Sequence, residues 1–177
     1  MKRPLLEINN LSIYKKDYSL ILNSDFSIQT NEIVGLFGSS GSGKSIFSLF
    51  LLGLLNTRIF SFSAKKAVFN YSSGFKNLLL SGVEDFSNFR KKHVSLIFQD
   101  PSVSLNPTII CGKQIKECCF DIKPNNSFNY CLSLLDEVGI ENPKKVFFSY
   151  PHELSGGQKQ RVVIAIALAS KPLLLVA

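Results

Sequence analysis

The N-terminal part of the chain consists of short apolar stretches that polar turn residues separate. Each stretch has the composition of a β-strand, and the Asn, Asp and Ser residues between them favour turns. Strands joined by such short connections pair with their neighbours in antiparallel fashion. The pattern therefore predicts an antiparallel β layer built from Leu5–Ile8, Leu11–Tyr14, Leu20–Leu22 and Phe26–Ile28.

Two longer apolar runs have the composition of parallel strands that are buried on both faces. Glu32–Phe37 leads into a glycine-rich loop and then into an apolar helix, which predicts the order strand, loop, helix. Val94–Phe98 predicts a second buried strand, and it runs into a Gln-Asp-Pro turn. Between these two strands, the stretch 61–82 is polar and rich in β-forming side chains.

The rest of the chain is predicted to be mainly helical. Apolar residues recur at helical spacing over 127–138, and Gly139 is typical of the left-handed residue that ends a helix. A second helix over 157–170 stops before Pro172. The final run Leu173–Ala177 predicts another central strand. Because native domains seldom end on an exposed central strand, we expect the chain to be truncated there.

The composition predicts a globular chain that is neither secreted nor inserted in a membrane. It is 45% hydrophobic and 19% charged, and its longest apolar stretch, Ile46–Leu55, falls well short of the ~20 residues of a spanning helix. A carboxylate at Glu7 interrupts the region where a signal peptide needs apolar residues. The net charge of +7 comes from dispersed Lys and Arg residues without a nucleic-acid motif. We expect a solvated surface, with contact to an acidic membrane or partner as the alternative.

The cysteines have no CxxC spacing, and both histidines lie outside their cluster. Small buried side chains in a reducing compartment are the expected role. We predict neither a structural zinc site nor a disulfide framework. The cysteines are Cys111, Cys118, Cys119 and Cys131, and the histidines are His93 and His152.

One glycine-rich run carries the clearest chemistry. It matches the P-loop pattern G-x-x-x-x-G-K-[ST], and the predicted strand and helix around it are the required context. Backbone N–H groups of such a loop converge on phosphate oxygens, Lys44 places a cation at the β and γ phosphates, and the Ser45 hydroxyl ligates Mg²⁺. The sequence therefore predicts ATP and Mg²⁺ as ligands of Gly38, Ser39, Ser40, Gly41, Ser42, Gly43, Lys44 and Ser45.

A second motif narrows the class, because a P-loop alone fits kinases, GTPases, helicases and transport ATPases. Ser155 can cap a helix whose first amides, at Gly156 and Gly157, form another anion site. The run Leu154–Arg161, Leu-Ser-Gly-Gly-Gln-Lys-Gln-Arg, resembles the signature motif of ABC ATP-binding proteins, and Phe98–Pro101 resembles the Q-loop of that family. By these motifs the chain is similar to an ATP-binding subunit of an ABC transporter.

The resemblance implies roles for further residues. Family members pair head to tail, so the signature residues Ser155 to Gln158 would cover the γ-phosphate that a second subunit's P-loop holds. Gln99 would be a catalytic residue that contacts both Mg²⁺ and the attacking water. An aromatic residue of the N-terminal layer stacks on adenine in the family, and Tyr14 is our candidate, with Tyr18 as the alternative.

The resemblance also implies an α/β fold. This fold is a P-loop NTPase core of the ABC ATPase type with an N-terminal antiparallel β layer, an inserted helical subdomain and the C-terminal part of the core missing. Residues 1–100 would form the nucleotide-binding core and 101–156 the helical subdomain that leads to the signature motif. Residues 157–177 would form the signature helix and an incomplete Walker B strand.

Two further segments, Gln99–Pro107 and Tyr150–Leu154, resemble the branch of the family that imports oligopeptides, dipeptides and nickel. The resemblance implies a peripheral subunit at the cytoplasmic face of the membrane. Its partners would be transmembrane permease subunits, a second ATP-binding subunit in a homo- or heterodimer and, indirectly, an extracytoplasmic substrate-binding protein, with no nucleic acid. The alternatives are a truncated module that binds nucleotide without turnover and a soluble ABC protein of translation or DNA repair.

The main departure from the family is at the end of the chain. After the equivalent of Leu173–Ala177 the family continues into the Walker B aspartate, the catalytic glutamate and the switch histidine, and neither His93 nor His152 stands at the switch position. We therefore expect residues 1–177 to bind ATP without hydrolysing it. Asn31 replaces a usual glycine and Ile46 a usual threonine, and neither side chain takes part in phosphate chemistry.

Overall fold

A computed structural model describes residues 3–72, 74–79, 83–98, 100 and 104–177, with only the backbone for 83–85. The chain divides into two compact units, Met1–Ser87 and Asn88–Ala177. The predicted domains, with boundaries after residues 100 and 156, stay a prediction. No helix within the described ranges is long and apolar enough to cross a lipid bilayer.

The described strands are β1 Leu6–Lys15, β2 Tyr18–Ile28, β3 Phe60–Ser63, β4 Lys66–Tyr71, β5 Gly74–Asn77, β6 Val94–Leu96 and β7 Leu174–Val176. The described helices are α1 Lys44–Leu51, α2 Val83–His93, α3 Cys111–Glu117, α4 Pro124–Glu137, α5 Pro143–Phe148 and α6 Gly156–Ala169, with a 3₁₀ turn at Pro151–Glu153.

β1 is the central strand of an antiparallel sheet in the first unit. It pairs with β2 along one edge and with β3 and β4 along the other, and β5 extends the sheet beyond β4. The predicted antiparallel layer is therefore confirmed.

The four predicted N-terminal strands form only two long strands, β1 and β2. Shifts of register inside the β1–β2 pair let each strand continue through its polar residues. Ile8 and Leu11 are both fully buried although they are an odd number of residues apart, and the register changes between them. Asn10 has a φ of 58° and Asn23 on β2 a φ of 48°, a conformation that asparagine tolerates better than most residues. The bulge returns apolar side chains to the same face, so polar residues lie within strands rather than in turns.

The prediction of a buried strand at Glu32–Phe37 is wrong. Residues 32–39 have no regular secondary structure, and Ile33 and Phe37 are 100% and 96% exposed. A strand forms only when its backbone groups pair with a neighbour, and no described strand of the first unit pairs with this segment. Apolar composition alone cannot supply that pairing. Asn31, just before the segment, has a φ of 64°, which explains why a glycine is suited to this position.

β6 and β7 form a parallel pair in the second unit, as predicted. Val94 lies opposite Leu174, and the Ile97 N–H donates to the Val176 carbonyl at 2.8 Å. Val94 and Leu174 are buried, whereas Phe98 is 56% exposed. Both strands are thus shorter than predicted, and their burial is confined to the start of each.

The helices α3 to α6 pack around one apolar core in the second unit. The predicted end of α4 is confirmed, because Gly139 follows it with a φ of 79°. The predicted role of the cysteines as small buried side chains is confirmed for Cys111, Cys119 and Cys131, while Cys118 is half-buried.

Cys131→Ser is expected to destabilise this core without altering nucleotide or metal binding. The Cys131 Sγ lies 3.9 Å from the Cys119 Sγ, and burial raises the pKa of the Cys131 thiol to about 12, so the thiol stays neutral. A hydroxyl placed in this apolar site lowers the free energy of unfolding by roughly 1–3 kcal/mol. Cys118→Ser has a smaller effect because that side chain is half-buried. Denaturant unfolding measures both losses, and a stoichiometric Zn²⁺ or Ni²⁺ that either variant loses would contradict the prediction.

Candidate nucleotide-binding site

The loop 38–43 owes its shape to its glycines. Gly41 and Gly43 have φ angles of 80° and 89°, a left-handed conformation that other residues adopt only at a cost in free energy. A Cβ added to Gly38 would lie 2.6 Å from the Ser42 Oγ. A larger residue at Gly38 would therefore displace the Ser42 side chain.

Lys44 begins α1 and folds its side chain back onto this loop. Its Nζ donates hydrogen bonds to the Gly38 and Ser39 carbonyls, each at 2.8 Å, and to the Ser42 Oγ at 3.2 Å. The Ser42 N–H also donates to the Ser39 carbonyl at 3.2 Å. The ammonium group is therefore held against the loop at the N-terminal end of α1.

The first turn of α1 presents backbone amides that no side chain of the described residues caps. Its N-cap residue is Gly43, and the turn contains no acidic residue. Uncapped first-turn N–H groups and the helix dipole together form a site for an anion. With the Lys44 ammonium, these donors fit the phosphate oxygens of a nucleotide. The exposed Ser45 hydroxyl is an oxygen ligand of the kind that Mg²⁺ prefers.

Among the described residues, phenylalanines line a cavity beside the loop. Tyr14 is half-buried in β1, where it lies opposite Ser19 and Ser61, and Tyr18 is 76% exposed. Neither is among the described residues that line a cavity of about 360 Å³ beside the loop. These phenylalanines were not predicted from the sequence, because they occupy apolar positions typical of a core. The stacking role of Tyr14 stays a prediction. The aromatic lining residues are Phe26, Phe37 and Phe47.

In the second unit, Ser155 caps α6 as predicted. The Ser155 side chain accepts a hydrogen bond from the Gln158 N–H at 3.3 Å, and the Gln158 Oε1 accepts one from the Ser155 N–H at 3.0 Å. This reciprocal capping box uses the amide of Gln158. The amides of Gly156 and Gly157 are left without a side-chain partner in the described chain.

Gly156 and Gly157 are not needed for packing within the described chain. Both are exposed, neither has a positive φ, and a Cβ at either position would meet no atom within 4 Å. Glycine inside a helix is about 1 kcal/mol less favourable than alanine. Two such residues at an exposed helix end are expected where another molecule approaches the backbone closely.

Gln99, the predicted catalytic and metal-binding residue, lies outside the described residues, as do 101–103. The structure does describe the flanks of this segment. The Ser104 Oγ donates a hydrogen bond to the Asp100 carbonyl at 3.2 Å. The roles assigned to Gln99 therefore stay predictions.

Comparison with known proteins agrees with these features. The ABC transporter family profile matches residues 21–177. The chain is 39% identical to the oligopeptide transport ATP-binding protein AppD of Bacillus subtilis (strain 168), over 98% of this chain and 54% of that protein. It is 37% identical to the dipeptide transport ATP-binding protein DppD of Escherichia coli (strain K12), over the same shares of each chain. The chain thus spans about half the length of the curated relatives it matches.

Solved structures share its fold. The ATP-binding cassette MJ0796, in a dimeric post-hydrolysis structure bound to ADP and Pi, aligns with a TM-score of 0.75 at 21% identity, over 96% of this chain and 72% of that chain. The protein cbiO1 from Clostridium perfringens aligns with a TM-score of 0.75 at 20% identity, over 98% and 64%. These alignments confirm the predicted α/β fold class.

Proposed function

This chain belongs to the ABC transporter family, and we propose that it is the nucleotide-binding part of a subunit that drives peptide import with ATP. The observation that carries the proposal is the loop at Lys44, where an ammonium and uncapped helix amides fit a polyphosphate. Peptides are the proposed cargo because the relatives above are named as oligopeptide and dipeptide transport proteins. Nickel, the other cargo that the sequence suggested, has no counterpart in those names.

In this proposal the loop binds ATP through its triphosphate. Lys44 exchanges its hydrogen bonds to the loop carbonyls for charge-assisted bonds to the β and γ phosphate oxygens. The first-turn amides of α1 bind the same oxygens. Ser45 and Gln99 would hold Mg²⁺, which would supply positive charge against the charge that develops on the transferred phosphoryl group. Gln99 also orients the attacking water.

We assign the N-terminal end of α6 to the nucleotide of a second ATP-binding subunit. Support comes from the exposed amides of Gly156 and Gly157 and from the open space around both residues. A γ-phosphate can approach these amides from outside the chain. Two subunits that pair head to tail, as a homo- or heterodimer, supply that phosphate to each other.

A groove in the second unit supports a transmembrane permease as a partner. It has a volume of about 350 Å³, and its lining includes the exposed rings of Phe98 and Phe120 together with Arg90 and Lys91. Exposed aromatic side chains and arginine are enriched where proteins bind one another. Docking of the permease here holds the subunit at the cytoplasmic face of the membrane. An extracytoplasmic substrate-binding protein then acts through the permease.

Residues 1–177 are expected to bind ATP without turnover, whereas a longer polypeptide that includes the acidic residues of the family is expected to release phosphate from MgATP. In the family, the acidic residues that hold the metal shell and act as general base follow the strand equivalent to β7. Residues 1–177 include β7 but not these acidic residues. Isothermal titration and a phosphate-release assay on both proteins measure binding and turnover separately.

Each alternative function gives a different result in these assays. Mg²⁺-dependent turnover by residues 1–177 that disappears in Lys44→Ala would contradict the predicted inactivity. Binding without hydrolysis by the longer polypeptide would favour a nucleotide-binding module. Hydrolysis that does not respond to the permease subunits and peptide in proteoliposomes would favour a soluble ABC protein.

A further inference from the structure

Two cysteines in the helical core of the second unit lie next to each other. The Cys119 Sγ is 3.9 Å from the Cys131 Sγ, and both side chains are buried in that core. The sulfur atoms of a disulfide are about 2.05 Å apart. A bond between the two cysteines therefore requires an approach of about 2 Å, which rotation of the side chains and a small backbone adjustment supply.

The position of Cys119 in the fold favours that adjustment. α3 ends at Glu117 and α4 begins at Pro124, so Cys119 lies in the connection between the two helices, whereas Cys131 lies within α4. Turn-type hydrogen bonds hold the connection, such as the one from the Cys119 N–H to the Lys116 carbonyl at 3.1 Å. The Cys119 sulfur can therefore move toward Cys131 without a shift of either packed helix.

The two thiols differ in reactivity. Burial raises the pKa of both, that of Cys131 to about 12, so the pair is neutral and reduced in a reducing compartment. The contact between the sulfur atoms lowers the pKa of Cys119 and raises that of Cys131 further. Because the thiolate is the nucleophile in thiol–disulfide exchange, Cys119 is the thiol that reacts first.

Cys119 is accessible from an open groove. Its neighbours in the chain, Cys118 and Phe120, both line the groove of about 350 Å³ in the second unit. A volume of this size admits a small molecule, which then lies within one residue of Cys119. In the proposed function a permease covers the same groove, so an oxidant reaches the free subunit.

We propose that Cys119 and Cys131 are a reversible oxidation site, which a low-molecular-weight disulfide converts from two thiols into one intramolecular disulfide. The Cys119 thiolate attacks one sulfur of the oxidant, whose S–S bond breaks and releases a first thiolate. The Cys131 thiolate then attacks the Cys119 Sγ of the mixed disulfide and releases a second thiolate. The cysteines lose two electrons, the oxidant gains them, and the two released thiolates take up the two protons that the cysteines lost.

The cross-link would make the stability of the helical core depend on the surrounding thiol pool. It closes the loop 119–131 and joins the α3–α4 connection to α4. A bond of this kind reduces the conformational freedom of the unfolded chain. The inference goes beyond the proposed function and does not depend on it, because neither cysteine belongs to the nucleotide site.

The test treats the reduced protein with oxidised glutathione and counts the remaining thiols by alkylation in denaturant after an acid quench. We expect the four thiols to fall to two, and dithiothreitol to restore all four. Chymotryptic cleavage after Phe120 and Tyr130 places Cys119 and Cys131 on separate peptides. Peptide mapping therefore identifies the cross-link between them directly.

Cys118→Ser is the matched control, because it removes the neighbouring and more exposed thiol. This variant should still form the cross-link, whereas Cys119→Ser should form none. Amide exchange in residues 118–130 should be slower in the cross-linked protein than in the reduced protein. Faster exchange throughout the core would show that the bond forms only by disrupting the fold, and would overturn the inference.

Three further results would also overturn it. They are a cross-link that requires Cys118, mixed disulfides with glutathione without any cross-link, and a cross-link that forms only in denaturant. Because Cys118→Ser tests the pair in a protein that keeps both buried thiols, the result does not depend on whether Cys119→Ser folds. The proposed function, which depends on the loop at Lys44, would stand in each case.

Discussion

Lys44→Ala is expected to lower the affinity of the protein for ATP by at least about a hundredfold. Two charge-assisted hydrogen bonds are each worth about 1.5–3 kcal/mol, and every 1.4 kcal/mol changes Kd about tenfold. The ammonium also lies against the Gly38 and Ser39 carbonyls, at 2.8 Å from each. Without it, those carbonyl dipoles face the phosphate oxygens with no cation between them, which adds repulsion to the lost attraction.

Lys159→Ala is the matched control for this prediction. Lys159 is also a helical lysine, but it lies in the first turns of α6, in the other compact unit. Its removal should leave the ATP affinity of a single subunit nearly unchanged. Isothermal titration of both variants decides the matter, and equal losses of affinity would count against the assignment of residues 38–45 as the nucleotide site.

The features that sequence analysis predicted well are those that depend on neighbouring residues. The glycines of the loop, the Ser155 cap and the left-handed Gly139 all follow from local backbone geometry, and the structure contains each of them. The antiparallel layer was also predictable, since β1 and β2 are joined by a short turn. Local rules of this kind transfer from sequence to structure because few distant contacts are involved.

The prediction for Glu32–Phe37 failed because a buried strand depends on partners elsewhere in the chain. Its apolar residues satisfy the pattern, but backbone pairing is a long-range property that a window of sequence does not contain. The bulge near Asn10 was not predicted for the same reason. Its two asparagines resemble a turn in sequence, and only the pairing of β1 with β2 shows that the strand continues through them.

The hydrogen bonds of Gln114 on α3 could not be predicted from the sequence, because a single glutamine in a helix has no distinctive spacing. Its side chain accepts a hydrogen bond from the Asn106 N–H at 2.9 Å and donates one to the Ile109 carbonyl at 2.7 Å, and the fold alone brings these groups together. A weak indication was present, since the buried Cys111 and Ile115 place Gln114 on an inward part of α3. A polar residue on such a face needs hydrogen-bond partners, so the pattern could have marked it for attention.

Gly157→Ala is expected to make the protein more stable and less active. The position is helical, exposed and open, and a Cβ there would meet no atom within 4 Å. Alanine should therefore raise the free energy of unfolding by up to about 1 kcal/mol, which corresponds to a rise in Tm of at most about 2–4 °C. The same Cβ occupies the space where, in the proposed function, a γ-phosphate approaches the α6 amides. Hydrolysis by the paired subunits should fall on the order of a hundredfold, with unchanged ATP affinity of the single subunit.

Gly139→Ala is the control, because it makes the same chemical change where the fold itself requires glycine. Gly139 has a φ of 79°, and its Cβ would lie 3.4 Å from the Arg161 Nη1. That variant should lose about 1–2 kcal/mol of stability and keep its hydrolysis at temperatures where it remains folded. Opposite signs for stability and activity in Gly157→Ala therefore separate a contact with another molecule from a defect in folding. Full hydrolysis in Gly157→Ala would show that no phosphate approaches this end of α6, and the pairing of subunits through the signature motif would have to be abandoned.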